Sequence, residues 1–199
     1  MAYAKTPAIE AGIEERRNRL ISSVIDIVAS RGVEQMTIAK VAASSRLAHG
    51  LAYKYFPDKE EMIAAAIERL RMMHVAAIRE AGADPNPLAA LARSLAVIYS
   101  LMGSWHLNAM TFASPIYRSA LRGALEHILR EARSLTPKDA KVASIVIIGA
   151  ARAMSEEIGD SQANRRDFVE VGLLMAGLAS GQAANTAARY AKPLPSAKV

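Results

Sequence analysis

An all-α fold of about nine helices is what this sequence predicts, and three observations predict it. First, 40 of its 199 residues are alanine while aromatic residues make up only 5%. Alanine has the best helix propensity and a poor strand propensity, so the composition argues against sheets. Second, the apolar residues recur at three-and-four spacing rather than in alternation. Third, helix start and stop signals punctuate the chain at short intervals.

Residues 1–12 read as a flexible arm. A first helix follows over 13–30, with Leu20, Val24, Ile27 and Val28 on one stripe and Gly32 just beyond its end. Arg16, Arg17 and Arg19 in its first turns read as solvated helix charge. A short helix starts with Thr37 as N-cap and runs to Ser44. Ser45, Arg46 and Leu47 form a tight turn, and a second short helix covers 48–56 until Pro57 stops it. Asp58 and Glu61 form a capping box for a long helix over 58–80, whose stripe is Ile63, Ile67, Leu70, His74 and Ile78. On that stripe His74 reads as a core histidine.

The segment 81–87, AGADPNP, is the clearest linker. Leu88, Leu91, Leu95, Ile98 and Met102 line the next helix, which Gly103 interrupts. Residues 104–113 form an irregular or short helical piece. Ser114-Pro115 and Thr136-Pro137 each pair an N-cap with proline at the first helical position. The helices they start run to about 134 and to 158. A last long helix covers 163–184, and 185–199 is a loose tail. The domains predicted are thus 13–74 and 75–184.

Several function classes lose support at this level. The chain has no cysteine, so disulfides, thiol nucleophiles and Cys-ligated metals are absent. Its four histidines, His49, His74, His106 and His127, make no metal-ligand spacing, and no Gly-rich phosphate loop or nucleophile elbow occurs. No enzyme activity, metal or cofactor is therefore expected. No signal peptide or membrane span is apparent, which predicts a cytoplasmic protein with no membrane partner. The net charge of +6 suits an anionic partner, yet residues 1–74 carry 11 basic and 9 acidic side chains, so bulk charge does not locate a site.

Two short helices joined by a tight turn suit the major groove of DNA. The stretch 37–56, TIAKVAASSRLAHGLAYKYF, followed by PDKEEM, resembles the tetracycline-repressor (TetR) family of bacterial transcriptional regulators. The resemblance rests on Arg31-Gly32, Thr37, Val41-Ala42, Gly50, Tyr53, Tyr55-Phe56 and Asp58-Lys59-Glu60, and covers about residues 14–74. It implies a three-helix DNA-binding head followed by a helical ligand-binding and dimerisation body.

For the head, the residues placed at DNA are Thr37, Lys40, Arg46, His49, Gly50, Leu51, Tyr53, Lys54, Tyr55 and Lys59. Thr37, Tyr53 and Tyr55 offer hydroxyls to phosphates. His49 and Lys54 face base edges, Leu51 a thymine methyl, and Gly50 permits close backbone approach. Lys59 sits in a first helical turn, against the helix dipole, which a phosphate would explain. Over 37–59 the count is Lys40, Arg46, Lys54 and Lys59 against Asp58, net +3. Three positions depart from the family pattern: Arg46 replaces a turn glycine, Ala48 a capping serine, and Leu51 a threonine.

For the body, Tyr99, Met102, Trp105, His106, Met110, Phe112 and Tyr117 are the expected lining of a pocket for an apolar or aromatic effector. Small residues in 137–158 and 163–184 favour close helix packing. A two-fold interface is expected from Ile145, Ile148, Gly149, Arg152, Phe168, Val171, Leu174, Met175 and Leu178. The function implied is a homodimeric repressor on a palindromic operator of double-stranded DNA, released by a small-molecule effector. The alternative is a helical small-molecule binder without specific DNA recognition.

Overall fold

The computed structural model describes residues 7–133 and 136–191. Among these residues there are ten α-helices and one 3-10 turn, and no strand. The chain divides into two compact units, Met1–Arg69 and Leu70–Val199. No single helix is long and apolar enough to cross a membrane.

The first unit begins with α1, Pro7–Arg31. The helix starts six residues before Ile13, so residues 7–12 of the expected arm are helical; 1–6 lie outside the described residues. Residues 7–11 are exposed, and apolar periodicity had nothing to mark there. Further along, Leu20, Ile21, Val24, Ile25 and Val28 are buried. Gly32 follows at φ 83, a left-handed conformation that glycine adopts without a Cβ penalty. A 3-10 turn, Val33–Gln35, leads to α2, Ile38–Ser44, and α3, His49–Tyr55.

Thr37 caps α2 as its sequence position requires, its Oγ1 accepting from the Lys40 N–H at 3.2 Å. Met36 before the cap and Val41 within the helix are both fully buried, the arrangement of a hydrophobic staple. Helix α4, Lys59–Gly82, is started by Asp58, whose Oδ1 accepts from the Glu61 N–H at 2.7 Å. Ala42, Ala52, Phe56, Met62 and Ala66 complete the core of this unit.

The second unit holds the rest of α4, then α5, Pro87–Leu101, in which ten of fifteen residues are buried. Asn86 caps it, accepting from the Leu88 and Ala89 N–H groups. Of the two alternatives for 104–113, irregular or short helical, the structure has the second: α6, Trp105–Phe112, capped by Ser104. Then come α7, Pro115–Arg133, and α8, Pro137–Ile158, capped by Thr136.

The single helix expected over 163–184 is two: α9, Gln162–Met175, and α10, Ser180–Tyr190. The break is a Schellman motif. Gly177 lies at φ 86, its N–H donates to Leu174 O (2.9 Å), and the Leu178 N–H donates to Leu173 O (3.1 Å). Arg133 holds the break by donating from Nε to Ala176 O and from Nη2 to Gly177 O. Residues 185–190 of the expected tail therefore belong to α10, where Thr186 and Ala187 are buried; 192–199 lie outside the described residues. Helices α5 and α9 approach closely at Gly172, where an added Cβ would stand 2.9 Å from Leu95 Cδ1.

Candidate nucleic-acid interface

Helix α3 is almost all surface. Of its seven residues only Ala52 is buried, and it anchors the helix to the unit's core. His49, Gly50, Tyr53 and Lys54 are exposed, and Leu51 and Tyr55 are half-buried. The His49 and Tyr53 rings meet edge to face, 5.2 Å between centroids, which gives the exposed side of α3 a fixed aromatic edge. Ala48 occupies the N-cap without a side-chain bond, so the N-terminal amides of α3 rely on other partners. A Cβ at Gly50 would meet nothing within 4 Å inside the chain. Packing within the protein therefore does not require glycine there.

The turn between α2 and α3 is a second Schellman motif. The Arg46 N–H donates to Ala43 O (3.1 Å) and the Leu47 N–H to Ala42 O (2.9 Å). Arg46 itself is at φ 56, and is the one residue other than glycine with positive φ among those described. An L-residue there costs about 1–2 kcal/mol relative to its ordinary backbone conformation. The strained residue is exposed and lies in the turn just before α3.

The remaining basic residues divide. Lys40 is exposed and its Nζ donates to Gln35 O (2.9 Å). Lys59 is half-buried and its Nζ donates to Val33 O (3.0 Å). The odd placement of Lys59 against the dipole thus has an intramolecular cause: the ammonium ties α4 to the 3-10 turn. It keeps further N–H donors, since an ammonium carries three. Thr37 is exposed, with its oxygen committed to the α2 cap.

Two arginines read as solvated charge, ahead of phosphate or minor-groove contact, instead meet aromatic residues at the end of α3. Arg16 Nε donates to Tyr55 Oη at 2.9 Å, and the Arg17 guanidinium lies 5.2 Å from the Phe56 ring centroid. Both arginines are half-buried rather than freely solvated. Their partners stand about forty positions away, beyond the reach of any helical period.

In the second unit the expected effector residues fall into separate groups. Tyr99 is fully buried, stacks on Phe168 at 5.1 Å, and donates its hydroxyl to Gly159 O at 2.9 Å. Tyr117 is buried, packs edge-on against Phe112 at 5.6 Å, and is hydrogen-bonded to His74 Nδ1 at 2.6 Å. Burial lowers the His74 pKa to about 4 and pushes the Tyr117 phenol up. His74 is therefore a half-buried, neutral histidine whose ring nitrogen is satisfied by Tyr117. Arg118 donates to Phe112 O, and the Arg152 guanidinium lies 5.4 Å from the Phe112 ring.

Met102 and Met110 are buried; His106 is half-buried. Trp105, at the first position of α6, is 54% exposed, unlike the buried Tyr99, Met102, Met110 and Tyr117. Among the described residues no three His, Asp or Glu side chains gather as a metal site.

The expected interface residues also divide. Ile145, Gly149, Val171, Leu174 and Met175 are exposed, as are Val142 and Val146 beside them. Their spacing puts the first set on one face of α8 and one face of α9. Arg152 is half-buried and pairs with Glu156 (2.6 Å). Phe168, Ile148 and Leu178 are buried within the chain, and so are corrected from interface to core. Phe168 is spent on Tyr99, and Leu178 on the Schellman break.

Residues 23–66 match the family described as bacterial regulatory proteins, tetR family. The nucleoid occlusion factor SlmA of Haemophilus influenzae is 37% identical over 68 residues, which are 33% of this chain and 31% of that protein. The HTH-type transcriptional regulator HbdR of Aromatoleum sp. is 33% identical over 51 residues, 26% of this chain and 22% of that one. The chain thus matches about a third or less of the length of these curated relatives. Over most of its length the fold is that of RolR in complex with resorcinol, at TM-score 0.63 and 24% identity, covering 92% of this chain and 96% of that one. SmeT, the repressor of the Stenotrophomonas maltophilia multidrug efflux pump SmeDEF, aligns at TM-score 0.60 and 18% identity, covering 79% and 88%.

Proposed function

We propose that this chain is a regulator of the tetR family, whose model matches residues 23–66, and that it is a transcriptional repressor that binds a palindromic operator as a homodimer and leaves it when a small effector binds. The observation that carries the reading is α3: a helix anchored by one buried alanine, displaying His49, Tyr53 and Lys54, with Arg46 held beside it at a strained φ. A helix presented this way suits the major groove, with hydroxyl and cationic groups at its margins for phosphates.

The second unit supplies the rest of the reading. The unpartnered apolar faces of α8 and α9 suit a two-fold four-helix contact with a second copy. Such symmetry matches two half-sites on DNA. A small, largely apolar or aromatic effector bound in this unit would act by population shift: it favours a state whose two recognition helices no longer meet both half-sites. Helix α4 has residues in both units and is the element through which that shift passes. RolR carries resorcinol and SmeT is a repressor, which supports both halves of the proposal. In this reading the protein works in the cytoplasm without catalysis.

Selection from random duplexes with the full chain tests it. The expected product is an enriched two-fold symmetric sequence whose affinity falls steeply with salt. No enrichment would overturn specific recognition. It would favour a helical small-molecule binder, the reading to which the uncapped Ala48 and apolar Leu51 lend weight.

A further inference from the structure

The amino-terminal half of α1 carries Arg16, Arg17 and Arg19 in one turn, and they do different things. Arg19 reaches Glu15 at 3.9 Å, an ordinary i,i+4 pair at the surface. Arg17 lies over Phe56, a residue of the unit's core. Arg16 spends its Nε–H on the phenol oxygen of Tyr55, 39 residues away. Successive arginines of α1 thus brace successive aromatic residues at the end of α3.

We infer that Arg16 and Tyr55 form one coupled clamp for a DNA backbone phosphate, with Tyr55 as the contact and Arg16 as the positioning residue. The inference rests on the DNA-binding reading above. A phenol has one donor hydrogen and accepts at its oxygen. Because that oxygen accepts from Arg16, the hydroxyl hydrogen is left to donate outward, and a cationic donor behind it strengthens that bond. The half-buried Tyr55 ring is thereby held in one orientation before any ligand arrives, which removes an ordering cost from binding.

The guanidinium has further N–H groups in a planar fork, the shape that fits phosphate oxygens. One turn back on α1, a Cβ at Gly12 would stand 3.5 Å from Arg16 Nη2. Glycine there leaves that edge of the guanidinium uncovered. A lysine at position 16 keeps the charge but replaces the planar fork, which can hold the phenol and a phosphate at once, by a freely rotating ammonium, so charge and fixed positioning can be separated.

The test measures binding of the full chain to a labelled random-sequence duplex of about 20 base pairs by fluorescence anisotropy, at several salt concentrations. Non-specific binding is dominated by phosphate contacts, so no operator is needed. The variants are Tyr55→Phe, Arg16→Met, Arg16→Lys and the Arg16→Met, Tyr55→Phe double. Tyr55→Phe keeps the ring and its packing, so it reports on binding even if Arg16→Met weakens folding. The expected result is a loss of roughly tenfold for each single variant, Lys included, and no further loss in the double, as two members of one unit require. Independent, multiplying losses, or full affinity in Arg16→Lys, would overturn the clamp while leaving DNA binding intact. A wild-type chain with no salt-dependent affinity for duplex would overturn the DNA-binding reading and the clamp with it.

Discussion

The two units use the same helix stop and fill it differently. Helix α9 ends at Gly177, φ 86, and α2 ends at Arg46, φ 56, with matching pairs of backbone hydrogen bonds. In the second unit glycine takes the left-handed position and Arg133 caps the freed carbonyls. In the first unit an arginine accepts the strain, and its side chain faces outward. The same contrast runs through the helices themselves. Ten of fifteen residues of α5 are buried, against one of seven in α3. One unit puts its side chains into a core; the other gives up backbone comfort and burial to display groups at a surface. Strain kept where packing does not demand it points to work done at that surface.

The largest consequence concerns the aromatic residues. Phe168 is fully buried against Tyr99, so Phe168→Ala should lower unfolding free energy by about 3–5 kcal/mol through lost transfer energy and the cavity left behind. Tyr53 is 47% exposed and its ring meets that of His49, itself exposed, so Tyr53→Ala should change stability by no more than about 0.5 kcal/mol while weakening duplex binding. Urea denaturation followed by circular dichroism, beside an anisotropy titration with duplex, measures both. Equal stability losses in the two variants would break the contrast.

A second effect belongs to the second unit alone. Burial holds His74 at a pKa of about 4, below its ordinary 6.5. Between those values the unfolded chain takes up a proton that the folded chain refuses. The stabilising contribution is thus complete above pH 6.5 and is lost as pH falls toward 4, by about 3 kcal/mol at most. Carboxylates titrate in part of the same range, so the measure is the difference between the wild type and His74→Gln. The variant, lacking the titrating ring, should show the shallower fall in unfolding free energy from pH 6.5 to 4. Parallel curves would show that His74 is solvated in the folded chain.

The contrast also explains what could be read in advance. The helix-turn-helix was legible because its signals are local: the Thr37 cap, Pro57 and the Asp58 cap each act within three residues. The start of α1 was hidden because residues 7–11 bury nothing, and the 3.6 period leaves no trace in an exposed face. The break at Gly177 was hidden for the opposite reason. Apolar spacing continues across it from Leu174 to Leu178, and the residue that holds it, Arg133, lies more than forty positions upstream. Tyr55 could be placed at the surface from its motif, but its partner Arg16 could not, because a 39-residue separation carries no periodic signal. The expected pocket residues rest on the density of large side chains, which carries no geometry: Trp105 is exposed, whereas Tyr99 stacks on Phe168.

The smallest effects are the most pointed, because they act on the paired helix stops directly. At Gly177 a Cβ would stand 3.6 Å from Arg133 Nη2, an ordinary contact, so Gly177→Ala meets no steric obstacle. Its cost, about 1–2 kcal/mol of stability, comes from the left-handed backbone alone. Arg46→Gly is the reverse exchange at the equivalent position. Relieving the same strain should raise unfolding free energy by about 1 kcal/mol, less the entropy glycine adds to the unfolded chain. It also removes a cation from beside α3, so duplex affinity should fall and the slope of log affinity against log salt should shrink by about one. Stability and binding then move in opposite directions in one variant. A gain in stability with binding untouched would mean that Arg46 stands at a helix stop for no reason connected with DNA. A loss of stability would mean that its side chain supports the fold and that the strain is offset within the chain itself.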